Sequence, residues 1–513
     1  MRARKAVHAE REPPRLQLLQ GSLIRLAAAI ALAAFLSGCT SGGRDRAPAS
    51  GTRGTSTAAS VDASSDATAS SAVVVDGSSG DASTAAAVDA GAPVRAQIDD
   101  DGDDDPEDPG TGKAPEPGTA RFEKVGVAPM ALTRICDLTP FEGSLYAAHA
   151  NQPLGTDGAT ITRYTPGDAQ RPFKIAFDWN RPGEPTKGGG AGQGFLRVHA
   201  IQKRLFVADA DPPYGGLGQV DWGTEGYVFV SDTSGAFAPA RAPHFRPPQL
   251  PDLAAWSEGK AGAAVLPRAY HVIDVIRFRG ALFASTGSVP PKERAWNGPS
   301  PGALHRANAD GTRWLYEVDY PYPWKDGVWR LTFMVRFKNR LYAGIQDYDG
   351  RDPNDYLYIT PSTGDAKELH REDVHGVRIT PTGAAGTLRW WVDRAASPPR
   401  LYWLAWGRDG VNLRFTTNGD DWTLVPMPAG AGRPTDITRF RDKVVVMTER
   451  GLYRMAGDAI DPEALAFVDP SGTTKKSPFE VSDFFCVAPL AVLDNVLYVG
   501  GQRMPATLYR LAE

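Results

Sequence analysis

Seven copies of one short pattern constrain the fold of this chain more than any other feature. Each copy follows a turn and places an aliphatic residue before an aromatic or second aliphatic one, then small or apolar residues. The copies are Gly143-Ser144-Leu145-Tyr146-Ala147, Lys203-Arg204-Leu205-Phe206-Val207, Gly280-Ala281-Leu282-Phe283-Ala284, Asn339-Arg340-Leu341-Tyr342-Ala343, Pro399-Arg400-Leu401-Tyr402-Trp403, Asp442-Lys443-Val444-Val445-Val446 and Asn495-Val496-Leu497-Tyr498-Val499. Successive copies lie roughly 40 to 80 residues apart, an irregular period with strand-like composition. Each follows a strand candidate, at 135–141, 197–201, 271–278, 330–337, 388–392, 435–440 and 484–490. Each precedes a third, at 159–164, 227–230, 303–306, 356–359, 412–415, 452–455 and 507–511. A fourth, outer strand can be drawn in most units, as at 173–177, 314–318 and 422–426. The expected architecture is all-β, a seven-bladed β-propeller. Six or eight blades also fit, because the stretch from 360 to 400 is poorly patterned.

Composition agrees, since Gly 54, Pro 42, Trp 12, Tyr 16 and Phe 20 suit many short strands joined by tight turns. The chain stops at Glu513, directly after the third strand of the last unit, which would leave that sheet with an open edge. Phe122-Glu123-Lys124-Val125-Gly126-Val127 has the alternation to supply the missing strand and so close the ring. Cys136 and Cys486 lie at even offsets before their units' Leu-Tyr pairs, on the same face of neighbouring inner strands. A disulfide there would lock the seam and is the expected reading, with two separate buried thiols as the alternative, because a count of cysteines does not fix a pairing.

Upstream the chain changes character. Arg2, Arg4, Lys5, Arg11, Arg15 and Arg25 precede an apolar run that ends in Leu36-Ser37-Gly38-Cys39. That run is too short to span a bilayer. It resembles the lipobox of bacterial lipoproteins, which implies a signal peptide at 1–38, a lipid on Cys39 and a cell-envelope location. Thr40 in place of the Asp that in some Gram-negative bacteria retains lipoproteins at the inner membrane implies the outer membrane. Residues 39–120 form an Ala/Ser/Asp-rich segment with no aromatic residue between Phe35 and Phe122, so it cannot bury enough apolar surface to order itself. Its end, from Asp99 to Asp108, carries eight acidic groups. These suit a self-repelling spacer better than a calcium loop, because the EF-hand spacing and its closing Glu are missing. The propeller domain is then 121–513.

Between third and fourth strands stand Ala307-Asn308-Ala309-Asp310-Gly311-Thr312-Arg313-Trp314, Thr416-Thr417-Asn418-Gly419-Asp420-Asp421-Trp422 and a fainter Ser231-Asp232-Thr233-Ser234-Gly235. These resemble degenerate Asp-box turns of sialidase-type propellers, in which Gly permits the left-handed backbone, Asx side chains hold the turn and Trp fills the space between blades. In that family the box is structural. The arginine-bearing Phe-Arg-Ile-Pro segment of sialidases is absent, and Thr133-Arg134-Ile135-Cys136 echoes it only in part.

Arg134, Arg197, Arg330 and Arg389 fall at starts of inner strands, with His271 in the matching place of the third unit. Together at a channel mouth they would attract an anionic ligand; paired singly with Asp or a loop carbonyl they would be scaffold. Long loops carrying Asp209, Asp211 and Tyr214, then Asp347, Tyr348, Asp349 and Asp352, then His149 and Asp157, belong to the same face. Carboxylates there could hold calcium or act as acid and base, but Asp beside Gly and Pro is also what tight loops select. His149, His199 and His271 come from different units without ligand spacing, so no metal is assigned. No nucleophile, Walker or zinc signature occurs, no cofactor is implied, and a net charge of −4 gives no reason to expect nucleic acid. The expected function is a lipid-anchored, non-catalytic binding module for an anionic glycan, peptide or envelope protein. The alternative is a sialidase-like glycan hydrolase or lyase that uses the arginine cluster.

Overall fold

The computed structural model describes residues 108–129, 132, 134–150, 159–179, 194–210, 225–238, 260–267, 269–288, 302–307, 314–319, 330–346, 354–360, 369–380, 384–407, 410–468, 476–481 and 485–513. The segment 1–38 expected to be a signal peptide, Cys39 and most of the acidic run lie outside them.

The chain folds into a seven-bladed β-propeller, each blade an antiparallel sheet. The inner strands, blades 1 to 7, are Asp137–Phe141, Phe195–Ile201, Ala269–Phe278, Arg330–Phe337, Ala384–Asp393, Pro434–Phe440 and Leu490–Leu493. Each turns back into the strand that bears the repeated aliphatic-aromatic pair. Five of these turns hold two residues at positive φ: Glu142-Gly143, Gln202-Lys203, Arg279-Gly280, Lys338-Asn339 and Asp494-Asn495. Such turns match the right-handed twist of a hairpin, which is why the pattern recurs after them. The weakly patterned stretch supplies both an outer strand for blade 4, Val374–Val377, and the inner strand of blade 5.

The two halves of the repeated pair have different tasks. Leu145, Leu205, Leu341, Leu401 and Leu497 are fully buried. The aromatic residue can reach the next blade: the Tyr146 hydroxyl lies against Gly235 of blade 2, and that of Tyr342 against Gly419 of blade 5. Both glycines have positive φ, and a Cβ on either would lie 2.3 Å from the hydroxyl. In these turns Asp232 Oδ1 accepts the amides of Ser234 and Ala236, and Asn418 Oδ1 those of Asp420 and Asp421. Trp422 donates its indole N–H to the Tyr356 hydroxyl of blade 4 at 2.8 Å.

Blade 7 is built from both ends of the domain. Arg121–Val127 pairs antiparallel with Thr507–Ala512, with Val125 bulged out between Lys124 and Gly126. Phe479 packs on Phe122 and Tyr509, with ring centroids 5.3 and 5.1 Å away. From there the backbone crosses to blade 1, where Ala128 N–H donates to Ala506 O (2.9 Å) and Ile135 N–H to Gly501 O (3.0 Å). Cys136 and Cys486 form a disulfide across this seam, with 4.5 Å between their Cα atoms. One expectation fails in detail, since the inner strand of blade 7 is Leu490–Leu493 and not 484–490. Pro489 has no amide to pair, so the residues before it leave the ladder and carry Phe485 and Cys486 inward.

Residues 108–120, placed by composition in the tether, lie on the face that bears the inner hairpin turns. Arg441 donates its amide to Pro109 O and its guanidinium to Lys113 O, while Thr111 donates to Asn495 Oδ1 and Ala114 to Asp442 Oδ1. Gly118 and Ala120 donate to Ala464 O and Leu465 O.

The disulfide closes a loop of 350 residues. Replacing Cys136 and Cys486 by Ser should lower the unfolding free energy by about 3–5 kcal/mol in denaturant titrations under oxidising conditions. Dithiothreitol should destabilise the parent similarly and leave the double variant unchanged.

Candidate functional site

The channel is lined at one level by residues four positions before the end of each inner strand. The closing pairs, such as Phe141↔Ser144, Phe278↔Ala281 and Phe440↔Lys443, place Asp137, Arg197, Asp274, Phe333, Arg389, Asp436 and Pro489 at this level. Just before it the register slips in blades 2 to 6, at 195/198, 272/274, 331/334, 387/389 and 434/436. A bulge re-aims the side chain that follows it, and its recurrence at one height gives the channel a distinct layer.

The three aspartates of this layer make the same contact. Asp137 Oδ2 accepts the amide of Val198 in blade 2 (3.0 Å), Asp274 Oδ2 that of Met334 in blade 4 (2.7 Å), and Asp436 Oδ2 that of Leu490 in blade 7 (2.7 Å). Each carboxylate clasps the next blade. All three open the same sequence pattern, Asp, aliphatic, two residues, Phe: Asp137-Leu138 to Phe141, Asp274-Val275 to Phe278 and Asp436-Ile437 to Phe440. That pattern was the signal by which these residues could have been found.

Arg389 spans the layer. It donates Nε and one Nη to the two oxygens of Asp436 (2.8 and 2.9 Å) and the same Nη to Asp137 Oδ1 (2.9 Å), linking blades 5, 6 and 1. Burial works against its charge, and the two carboxylates more than offset this, so its pKa is held above the usual arginine value. Arg197 stands 4.0 Å from Asp137 Oδ1, with its guanidinium 5.0 Å from the centroid of Phe333. His199 Nε2 and Asp274 Oδ1 are 2.6 Å apart.

The five basic residues singled out from the sequence therefore divide between two heights. Arg197 and Arg389 meet at Asp137. His271 and Arg330 pair two residues further along their second strands, roughly 7 Å away, and Arg134 precedes its strand. His271 donates Nδ1–H to Ala210 O (3.0 Å), and the Arg330 guanidinium lies 5.5 Å from the Phe485 centroid. The Arg134 carbonyl accepts from His149 Nδ1–H at 2.7 Å, which leaves His149 Nε2 to accept from Thr162 Oγ1, also at 2.7 Å. Burial pushes the His149 pKa down to about 4, against the pull of that carbonyl. Asp209 is buried, whereas Asp157, Asp211, Tyr214, Asp347, Tyr348, Asp349 and Asp352 lie outside the described residues. Among the described residues no group of three His, Cys, Asp or Glu is placed to hold a metal ion. On the hairpin side, between blades 5 and 6, a cavity of about 250 Å³ is lined by Asp393, Ser397, Arg400, Tyr402, Arg439 and Lys443.

No protein-family model matches the sequence, and no curated protein does. Among solved structures the chain is similar to a streptogramin B lyase, at 10% identity over 77% of this chain and 97% of that one, with a TM-score of 0.45. Virginiamycin B lyase from Staphylococcus aureus gives 10% identity, 77% and 99% coverage and a TM-score of 0.45. An α-L-arabinanase from Penicillium chrysogenum gives 13%, 76%, 98% and 0.35. None of their residues is carried over to this chain.

Arg389→Met should lower stability by about 3–5 kcal/mol, because Asp137 and Asp436 then stay buried without their cation. Adding Asp436→Asn should recover part of that loss in the same denaturant titration. The unfolded chain protonates His149 near 6.5 and the folded chain only near 4. Its contribution is complete above pH 6.5 and falls by about 3 kcal/mol as pH drops to 4. Thermal unfolding of His149→Gln should show a flatter pH dependence in that window than the parent.

Proposed function

We propose that this chain is a binding module of the cell envelope, anchored by a lipid on Cys39 and presenting the propeller's loop-bearing face to an anionic glycan, peptide or envelope protein. The observation that supports this most directly is the use made of the channel's charged side chains. Asp137, Asp274 and Asp436 clasp neighbouring blades, and Arg389 gives three hydrogen bonds to two of them. A general acid or base needs a lone pair or proton directed at substrate, and these carboxylates direct theirs at backbone amides, at the Arg389 guanidinium and, from Asp274, at the His199 imidazole. Ligand contacts then fall to the surface loops and to the upper tier, with Arg134, His271 and Arg330 as its basic members and Arg197 and Arg389 supporting from below. The turns at 231–235 and 416–422 serve in this reading as structural Asp-box-like plugs.

Two measurements test it. Cys39→Ala should move the protein from the membrane fraction to the soluble one and abolish incorporation of labelled fatty acid. Purified domain should bind members of an acidic-glycan and peptide panel without turning over glycosides or lactones, and Arg330→Ala should weaken binding about tenfold. Turnover at enzymatic rates that Arg134→Ala or Arg330→Ala abolishes would replace the binding role with the glycan-acting one.

A further inference from the structure

Two junctions between blades are closed in the same way. The Tyr146 hydroxyl of blade 1 meets Gly235 of blade 2, and the Tyr342 hydroxyl of blade 4 meets Gly419 of blade 5. The turn that carries each glycine then adds an aromatic residue. Phe237 stacks on Phe177 with 5.1 Å between centroids, and Trp422 stands 5.7 Å from Tyr356. Arg340, which opens the second strand of blade 4, completes its junction by donating to Asp420. Arg400 and Tyr402 repeat this pair in blade 5, and the Arg400 guanidinium reaches Gly457 O and Asp458 of blade 6 at 3.4 and 2.8 Å. Blade 6, however, leaves its third strand through Gly457-Asp458 alone, since Ala456 already pairs with Ala459. A turn of that length brings no aromatic ring to the junction. The cavity of about 250 Å³, lined by Tyr402 and Gly457, lies there, in the place that a longer turn takes between blades 4 and 5.

Its walls are charged but balanced. Arg439 donates to both oxygens of Asp393 (3.1 and 2.6 Å), Arg400 pairs with Asp458, and Lys443 pairs with Asp442 at 3.2 Å. An anion entering the cavity would compete with these carboxylates, and a cation with the three basic groups. A hydroxyl meets no such penalty. It donates one bond and accepts two, so neighbouring hydroxyls on one ring can accept from a guanidinium and donate to the carboxylate beside it. Tyr402 adds a hydroxyl bonded to Arg400, and burial raises its pKa, so it keeps its proton. Val444 and Met455 supply a buried apolar wall for the C–H face of a ring. The amide of Ala114 donates to Asp442 Oδ1 and so holds that wall residue in place. Pockets for drug-sized molecules begin at roughly 300 Å³, so this smaller one suits a single ring. We propose that the cavity between blades 5 and 6 binds one neutral pyranose, free or at the end of a glycan, whose hydroxyls accept from Arg400 and Arg439 and donate to Asp393 and Asp442. The site lies on the hairpin side, apart from Arg134, His271 and Arg330. It depends neither on the ligand of the loop-bearing face nor on the lipid anchor.

Isothermal titration and saturation-transfer NMR of the full chain, with free hexoses and their methyl pyranosides as probes, test the site. At least one neutral pyranose should bind with a dissociation constant of about 1 mM, and its uronate and amino-sugar analogues about tenfold more weakly. Binding of the free sugar and of the methyl glycoside alike identifies a lone ring as sufficient, and binding of the glycoside alone identifies the end of a chain. Ala396→Trp, which fills the cavity from the hairpin loop of blade 5, should abolish binding while thermal unfolding shows the fold retained. Arg400→Met should weaken it about tenfold, and the fold should tolerate the change because Asp458, its ion-pair partner, has a side chain that is 65% exposed. No binding by any neutral pyranose, tighter binding of the uronate or the amino sugar, or undiminished binding by Ala396→Trp would each overturn the proposal.

Discussion

A ring of sheets exists only if its last member is joined to its first, and that seam is the constraint on which everything else in this structure rests. Each blade packs on its two neighbours, so an open ring would expose the edge of blade 7 and one face of blade 1. The chain meets the requirement with pairing of Arg121–Val127 onto Thr507–Ala512, the backbone bonds from Ala128 and Ile135, and the Cys136–Cys486 bond. The first two place residues far apart in sequence side by side, and the third keeps them from separating under oxidising conditions.

The channel is a consequence of closure, and its charged layer helps to maintain it. A buried arginine is unfavourable unless its partners are well placed, and Arg389 has three hydrogen bonds to two carboxylates from different blades. Those carboxylates also accept amides of the next inner strand, so their remaining lone pairs are satisfied. Removal of any member would leave charge or amide unpaired in several blades at once, which ties this layer to the geometry of the whole ring. Phe333 presents its aromatic face to Arg197 within the layer, and Phe485 presents its own to Arg330.

Much of the fold was legible because its unit is local. A two-residue turn, a buried Leu and an aromatic residue beside it are all within a few positions of one another, and each copy announces a hairpin. The inner strand of blade 7 was misplaced because the pattern of apolar residues runs through Pro489, and only the missing amide there ends the ladder. The basic residues of the candidate site were recognised as a set by their nearness to strand starts. Bulges that differ in position by one or two residues then set Arg197 and Arg389 apart from His271 and Arg330, a difference that periodicity does not register. The aspartate clasps were overlooked although their Asp-aliphatic-x-x-Phe pattern was present three times, since an acidic residue before a strand resembles an ordinary turn former.

Sequence by itself determined the propeller's repeating unit, the strand that completes the last blade and the place of the two cysteines near its ends, because these follow from short-range pattern and from which edge would otherwise be open; that there are seven blades, and not six or eight, was settled by the tertiary structure. The tertiary structure alone decided which charges meet. Arg389 lies 47 residues from Asp436 and 252 from Asp137, and Asp137 lies 61 from the amide it holds. Separations of that size carry no pattern along the chain; they become contacts only when seven sheets share one axis.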